Sequence, residues 1–466
     1  MASKWVEVPL EQLKAQTKSA FAMGPFGSKI KAENFTTVGV PVIKGGNLNA
    51  TYLDESDFDF LTQEKADELE SAKARRLDIV ITHRGTLGQV GLIPEDSKYE
   101  EYVVSQSQLK MSFDIKRVDP YFVYYFLKSP LGQSRLLSNV SQVGVPAIAQ
   151  ALTSVRAIEI PIPEDRSEQT HISSVLRSLD DKIDLNRRIN QTLEAMTQAI
   201  FKSWFVDFDP VKAKIAAIEQ GQDPLRAAMR AISGKTDAEL DQMPREHHDQ
   251  LTATAALFSD AMEESELGEI PKGWGIKSVS DIARFATGKI EVSSLTVENY
   301  ISTENMLENR GGISHASSLP AVATVPTFES GNVLVSNIRP YFKKIWLARF
   351  DGGRSNDVLC FEAKEDGCQE FLYNLLYQDI FFEFMMRTSK GAKMPRGDKE
   401  AIGGWTFPCA PSELRQAFSE KVHPFYSYIE SLNLESQQLS ELRDILLPKL
   451  LSGELSVDLV AEENMQ

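Results

Sequence analysis

SEQTHISSVLRSLDDKIDLNRRINQTLEAMTQAIFKSWFV, residues 167–206, and PSELRQAFSEKVHPFYSYIESLNLESQQLSELRDILLPKLL, residues 411–451, decide the fold. They carry one apolar pattern 246 positions apart: Ile172 with Phe418, Leu176 with Val422, Leu179 with Phe425, Ile183 with Ile429, Leu193 with Leu439, Met196 with Leu442 and Ile200 with Leu446. Most steps are of three or four residues, the spacing of a helix that buries one seam against another helix. At 1.5 Å per residue each helix is about 55–60 Å long. A helix of that length with one apolar stripe needs a partner, and the obvious partner is its own duplicate. The chain returns through a whole domain before the second helix starts, which predicts an antiparallel pair. The seam is not purely apolar. Asn186 and Asn190 fall on inward steps, matched in the repeat by Leu432 and Ser436. Two readings fit them: they fix the register of the pair, or the helices splay there and the amides meet water.

Outward from the helices, each is preceded by a globular segment of the same layout. In the first, Gly39–Ile43, Asp78–Thr82, Gln89–Ile93 and Tyr102–Met111 read as strands bounded by turn residues. Pro120–Ser129 reads as a short amphipathic helix with proline in its first turn. Gly144 and Pro146 mark a loop, and Ile158–Pro163 is extended. In the second, Asn332–Ser336 answers Asp78–Thr82, Ser355–Phe361 answers Ser105–Met111, and Glu370–Tyr377 answers Pro120–Leu127. Gly391 and Pro395 answer Gly144 and Pro146. The offset drifts from 254 down to 246, as a few small insertions would make it do. The expected class is α+β: two pseudo-repeated α/β domains (1–165 and 266–410) separated by two long antiparallel coiled-coil helices (166–206 and 411–455), with a tail at 456–466. Residues 207–265 have no counterpart and form a bridging insert, read either as a docking surface or as a solvated linker with local helices.

Composition narrows the function. With 466 residues, 42% hydrophobic and 25% charged, the chain is globular. No apolar run of about eighteen residues predicts a membrane span, and the start lacks a secretory h-region, so a cytoplasmic location is expected. Cys360, Cys368 and Cys409 lack the spacing of a metal site and read as buried, reduced thiols. A net charge of −16 argues against a protein that coats DNA alone, because phosphate contacts need Lys and Arg. Local basic loops remain. Arg387, Lys390, Lys393, Arg396 and Lys399 cluster in RTSKGAKMPRGDK, and Arg339, Lys343 and Lys344 are interleaved with Tyr341, Phe342 and Trp346. In the first half Lys44, Arg84, Arg135 and Gln142 lie near turns. Arg reads guanine, and Gln or Asn reads adenine, in the major groove. As a set at corresponding loops of two repeats, Lys44, Arg84, Arg135, Gln142, Arg339, Lys343, Lys344, Lys390, Lys393 and Arg396 are the candidate DNA contacts. A twofold-repeated object suits a duplex target.

Motifs for chemistry are weak. Asn337-Ile338-Arg339-Pro340-Tyr341 lacks the paired prolines of an adenine-methylating loop, no P-loop occurs, and Pro94-Glu95-Asp96-Ser97-Lys98 is not repeated in the second half. No catalytic residue and no metal site is assigned.

Four stretches carry a family resemblance: Gly144-Val145-Pro146 leading to IEIPIPEDRSEQTHISSVLRSLDDKIDLNRRIN, the helix end AIFKSWFVDFDP at 199–210, ELGEIPKGW at 266–274, and LLPKLLSGEL at 446–455. With these the chain resembles, over essentially its whole length, the DNA-specificity (S) subunit of Type I restriction–modification systems. The resemblance implies that each globular domain is a target-recognition domain reading one half of a split double-stranded DNA site, and that the paired helices set the gap. It implies docking of two methyltransferase (modification) subunits and of restriction/translocase subunits. It implies no cofactor in this subunit, with S-adenosylmethionine in the methyltransferase partner and ATP and Mg in the restriction partner. Contact residues vary with target in such proteins, so none is carried over. The alternatives are a two-headed protein-interaction scaffold without sequence-specific DNA binding and, third, a stand-alone adenine methyltransferase.

Overall fold

The computed structural model describes residues 4–49, 51–141, 144–391 and 393–455. The protein mixes helices and sheets and divides into two compact units. Unit 1 comprises Met1–Arg188 with Asn433–Gln466, and unit 2 comprises Ile189–Leu432.

In unit 1 a four-stranded antiparallel sheet runs in the order Phe21–Met23, Gln108–Met111, Ile79–Thr82, Val90–Leu92. A five-stranded sheet contains the parallel neighbours Val40–Ile43 and Glu101–Val104. The apolar run 102–111 is therefore two strands, not one: a turn at Ser105–Ser107 hands its halves to different sheets. Trp5–Pro9 pairs antiparallel with Glu159–Pro163. The helix Pro120–Lys128 is capped by Asp119, whose carboxylate accepts from the Tyr121 N–H, and has proline at its start.

Unit 2 repeats the antiparallel four-stranded sheet, the parallel neighbours and the antiparallel two-stranded pair, but among the described residues its second sheet has four strands where that of unit 1 has five. Its antiparallel sheet runs Ala283–Phe285, Val358–Ala363, Val333–Ser336, Ile345–Leu347. Tyr300–Ile301 and Gly352–Arg354 make the parallel pair, Gly275–Ser278 and Thr406–Cys409 the antiparallel one, and Gln369–Tyr377 the short buried helix.

The two sheets fill one buried position differently. Asp78 and Lys110, both nearly buried, face each other at 3.9 Å in unit 1. Burial pushes the Asp78 carboxyl up and the Lys110 ammonium down, so each charge costs desolvation that the pairing offsets in part. In unit 2 Asn332 and Cys360 stand at the matching places, and the Cys360 thiol donates to Asn332 Oδ1 at 3.2 Å. Cys360, Cys368 and Cys409 are all free and buried.

The long helices span Arg166–Phe205 and Ser412–Leu451, the second running without a break through the exposed Pro424 and Pro448. Within each unit their segments pack antiparallel. In unit 1, Asp180 meets Arg443 at 2.7 Å, and Asn186 Nδ2 donates to Glu435 (2.8 Å) and Ser436 (3.2 Å). In unit 2, Phe201 packs on Phe418, and Tyr426 reaches Thr197. Asn186 is buried and hydrogen-bonded, which favours the register reading over splaying. Among the seam residues Leu176, Val422 and Ile429 are buried. Leu179, Ile183, Leu193, Ile200, Phe425, Leu439 and Leu446 are half-buried. Met196 and Leu442, expected on the seam, are each 45% exposed. Thr197 takes the inward place in the first helix, next to Met196, because the seam admits a polar layer.

That layer is built twice with exchanged chemistry. In unit 1 the short helix presents Tyr125, whose hydroxyl donates to Asp180 on the long helix at 2.9 Å. In unit 2 the long helix supplies the hydroxyl: Tyr426 donates to Asn374 on the short helix at 3.0 Å. Asp180 and Tyr426, like Arg443 and Thr197, stand 246 positions apart.

The segment after the first long helix is not a solvated linker. It forms the helices Asp209–Glu219, Pro224–Ser233, Asp237–Asp241 and Arg245–Ala256. Val211, Met229, Ile232, Leu240 and Phe258 join the same apolar cluster as Trp204 and Trp274. Amphipathic faces this short need such a core to persist.

Candidate nucleic-acid interface

In unit 1, strand Ile79–Thr82 ends in His83-Arg84-Gly85. The hairpin strands Val140–Ser141 and Ala147–Ile148 close over this end. Gly85 N–H donates to Pro146 O, and Ile148 N–H donates to His83 O, both at 2.9 Å. Gly85 has φ +96°, which an L side chain adopts only at a cost. His83 is buried, its Nε2 lies 3.2 Å from Gln106 O, and burial lowers its imidazole pKa, which favours the neutral ring. Arg84 is exposed and, among the described residues, has no carboxylate within ion-pair distance. It borders a cleft of about 640 Å³ with His83, Val145, Gln150 and Met23. Val145, at the tip of the loop, is exposed.

Unit 2 repeats this loop pair. Strand Val333–Ser336 runs into Asn337–Lys344, and the segment Lys390–Arg396 closes against it. Arg339 N–H donates to Pro395 O at 2.9 Å, and Ile338 bridges Arg396. Lys390 and Arg396 exchange backbone hydrogen bonds of 2.9 Å in both directions, which draws those two residues together. Lys393 and Met394, between them in sequence, are exposed. Tyr341, 48% exposed, lies on Phe342 with ring centroids 4.6 Å apart.

Most of the sequence-predicted cations are held by carboxylates that local pattern did not reveal. Lys44 pairs with Asp59 and lies over Phe35. Lys343 reaches Asp379 at 2.8 Å, and Arg310 joins the same carboxylate. Lys343 first, then Arg310, hold the Asp379 carboxyl below its ordinary range. Lys390 pairs with Asp398, the N-cap of helix Lys399–Gly403. Arg396 lies 3.2 Å from Asp357. Lys344 donates to Thr303 O at 2.9 Å. Arg135 bonds Glu7 at 2.8 Å and the Glu159 carbonyl, tying the paired strands Trp5–Pro9 and Glu159–Pro163 to its helix. Gln142 lies outside the described residues. The acceptors are up to 128 positions away in the chain. Only Asp398, an Asp placed before Lys-Glu-Ala, left a capping signal in the sequence.

Arg339 and Lys393 differ from these: among the described residues neither has a carboxylate within ion-pair distance. Arg339 is held at φ +50°, a left-handed conformation that costs a side-chain-bearing residue about 1–2 kcal/mol. Its Nε is buried without a hydrogen-bond partner, as is Oδ1 of Asn337, two residues before it. Among the described residues no helix is long and apolar enough to cross a membrane.

Residues 23–195 match the family described as Type I restriction modification DNA specificity domain. The Type I restriction enzyme HindI specificity subunit of Haemophilus influenzae is 29% identical over 393 residues, 77% of this chain and 83% of that one. The MjaIX specificity subunit of Methanocaldococcus jannaschii is 23% identical over 358 residues, 72% of this chain and 69% of that one. The crystal structure of the S subunit of a Type I restriction–modification system from M. genitalium covers 96% of each chain at a TM-score of 0.54 and 15% identity, a shared fold.

Proposed function

We infer, from the place of this chain among the DNA-specificity subunits of Type I restriction–modification systems, that it is the noncatalytic, sequence-reading component of such a complex. Each repeat reads one half of a bipartite duplex site, and the long helices are the spacer. What carries the reading is the recurrence of one loop pair. Gly85 with Pro146, and Arg339 with Pro395, make the same backbone bond beside exposed cations. A loop held by its backbone at a strand end offers its side chains to a groove without reorganising. Modification subunits supply S-adenosylmethionine chemistry on an extruded adenine, and restriction subunits supply ATP- and Mg-dependent translocation and cleavage. With a charge of −16 and most loop cations already paired, this chain draws part of its electrostatic grip on DNA from those partners.

The test is methylation mapping in a cell carrying the whole system. The expected result is a bipartite motif with a fixed gap. A continuous motif would overturn the division of labour between the repeats, and methylation without sequence preference would favour the interaction-scaffold alternative.

A further inference from the structure

Arg339 occupies a backbone site that its counterpart fills with glycine. The strand residues Asp78 and Asn332 correspond, and seven positions later stand Gly85 and Arg339. Both donate a backbone N–H to a proline carbonyl at 2.9 Å, and both have positive φ, +96° and +50°. The loop geometry therefore asks for glycine, and unit 2 keeps the geometry while bearing an arginine. That arginine is also the odd one in its charge environment. Lys343, Lys390 and Arg396 around it each have a carboxylate, whereas Arg339 has none among the described residues. Its Nε is shut away from water with no acceptor, although the residue as a whole keeps partial exposure. A strained, partly desolvated and unpaired guanidinium is costly in the free protein. An acceptor pair arriving from outside would pair that charge, while the backbone strain stays as it is.

We propose that Arg339 is a base-reading residue of the second recognition domain, its guanidinium directed at the O6 and N7 acceptors of a guanine in the major groove. The inference rests on reading the chain as a DNA-specificity subunit. Guanine fits better than phosphate for a physical reason. A guanidinium fixed by a left-handed backbone and a buried Nε has little freedom to follow a flexible backbone phosphate, but it suits the planar, paired acceptors of one base edge. Lys393, exposed at the tip of the neighbouring loop, has the freedom a phosphate contact needs. Unit 1 has no such group at its matching position, since Gly85 carries no side chain, so the two repeats read by different means.

The experiment selects bound sequences from a randomised duplex pool with the full chain assembled with its modification subunits. The wild type is compared with Arg339→Gly and Arg339→Lys. Arg339→Gly installs the residue native to the matching loop, so the fold is expected to persist, and circular dichroism of the variant checks this. The expected outcome is loss of preference at one G·C position of one half-site, by about 5- to 150-fold, with the other half-site and the salt slope unchanged. Arg339→Lys loses most of the same preference, because an ammonium lacks the paired donors. Substituting 7-deazaguanine, which lacks N7 but keeps O6, at that position reproduces part of the loss for the wild type and changes nothing for Arg339→Gly. Retained preference at every position overturns the proposal. So does a uniform loss of affinity with a salt slope lower by about one, the mark of a phosphate contact. A wild-type complex that selects no sequence overturns the specificity reading itself, a different result from either.

Discussion

Removing Arg443 should damage the helix pair more than removing the charge of its partner Asp180, although the two form one contact. Asp180 is 1% exposed, and its protein partners are Arg443 at 2.7 Å and the Tyr125 hydroxyl at 2.9 Å. Arg443→Met leaves a buried carboxylate with one neutral donor and the Lys128 ammonium beyond ion-pair distance, and stranding such a charge costs up to about 3–5 kcal/mol. Asp180→Asn is milder. Arg443 keeps Asp444 at 2.8 Å and reaches solvent, and the new amide oxygen still accepts from Tyr125. The loss is then one charge-assisted hydrogen bond, about 1.5–3 kcal/mol. The double variant Asp180→Asn/Arg443→Met removes both charges while keeping an acceptor for the buried Tyr125 hydroxyl, and should lose less than Arg443→Met alone, since replacing both charges of a buried pair is often neutral or stabilising by about 1–4 kcal/mol. Unit 2 already makes the equivalent layer from Thr197, Tyr426 and Asn374, without a charge. Urea denaturation followed by helical circular dichroism gives the stabilities, and amide exchange over residues 172–188 locates the loss. If the two single variants lose equal stability, or the double variant loses their sum, the pair is not a coupled buried contact and the reasoning fails.

Three further outcomes follow from the same geometry. Lys393→Ala should lower the salt slope of DNA binding by the assembled complex by up to about one, and Arg396→Ala by less, because Asp357 already holds that guanidinium; equal slopes for all three proteins would remove both residues from the phosphate contacts. Asp379 has its folded pKa depressed by Lys343 and Arg310, so its contribution is present above its ordinary carboxylate value of 3.8 and is lost as pH falls through the folded value. Asp379→Asn should therefore flatten the fall in urea midpoint between about pH 5 and pH 2, and an identical acid profile would show that the pair contributes nothing. Leu176→Asp places an unpaired charge in the unit 1 core, at a cost of several kcal/mol, and should abolish cooperative unfolding of that unit; an unchanged urea transition would mean that Leu176 does not face the core.

Sequence alone determined the two long helices, their shared period and the order of elements on either side. Those features are local: a 3.6-residue stripe, a proline at a helix start and a glycine before a strand each act within a few residues of chain. Their repetition made the pattern legible even though Asn186 interrupts it. The candidate loops were legible for the same reason, since Gly144–Pro146 and Gly391–Pro395 recur in register with the strands.

Tertiary structure decided how the cations are used and what fills the seam. Whether Arg135 faces a groove or clamps Glu7 depends on a carboxylate 128 positions away, and whether Arg339 is free depends on which acids fold near it. It also decided that Thr197, not Met196, turns inward, and that the insert after the first long helix joins a core. Charge pairing and burial are properties of space rather than of spacing. A Coulomb partner or an apolar neighbour acts over a few ångströms wherever the chain brings it, and nothing in the local pattern records its arrival.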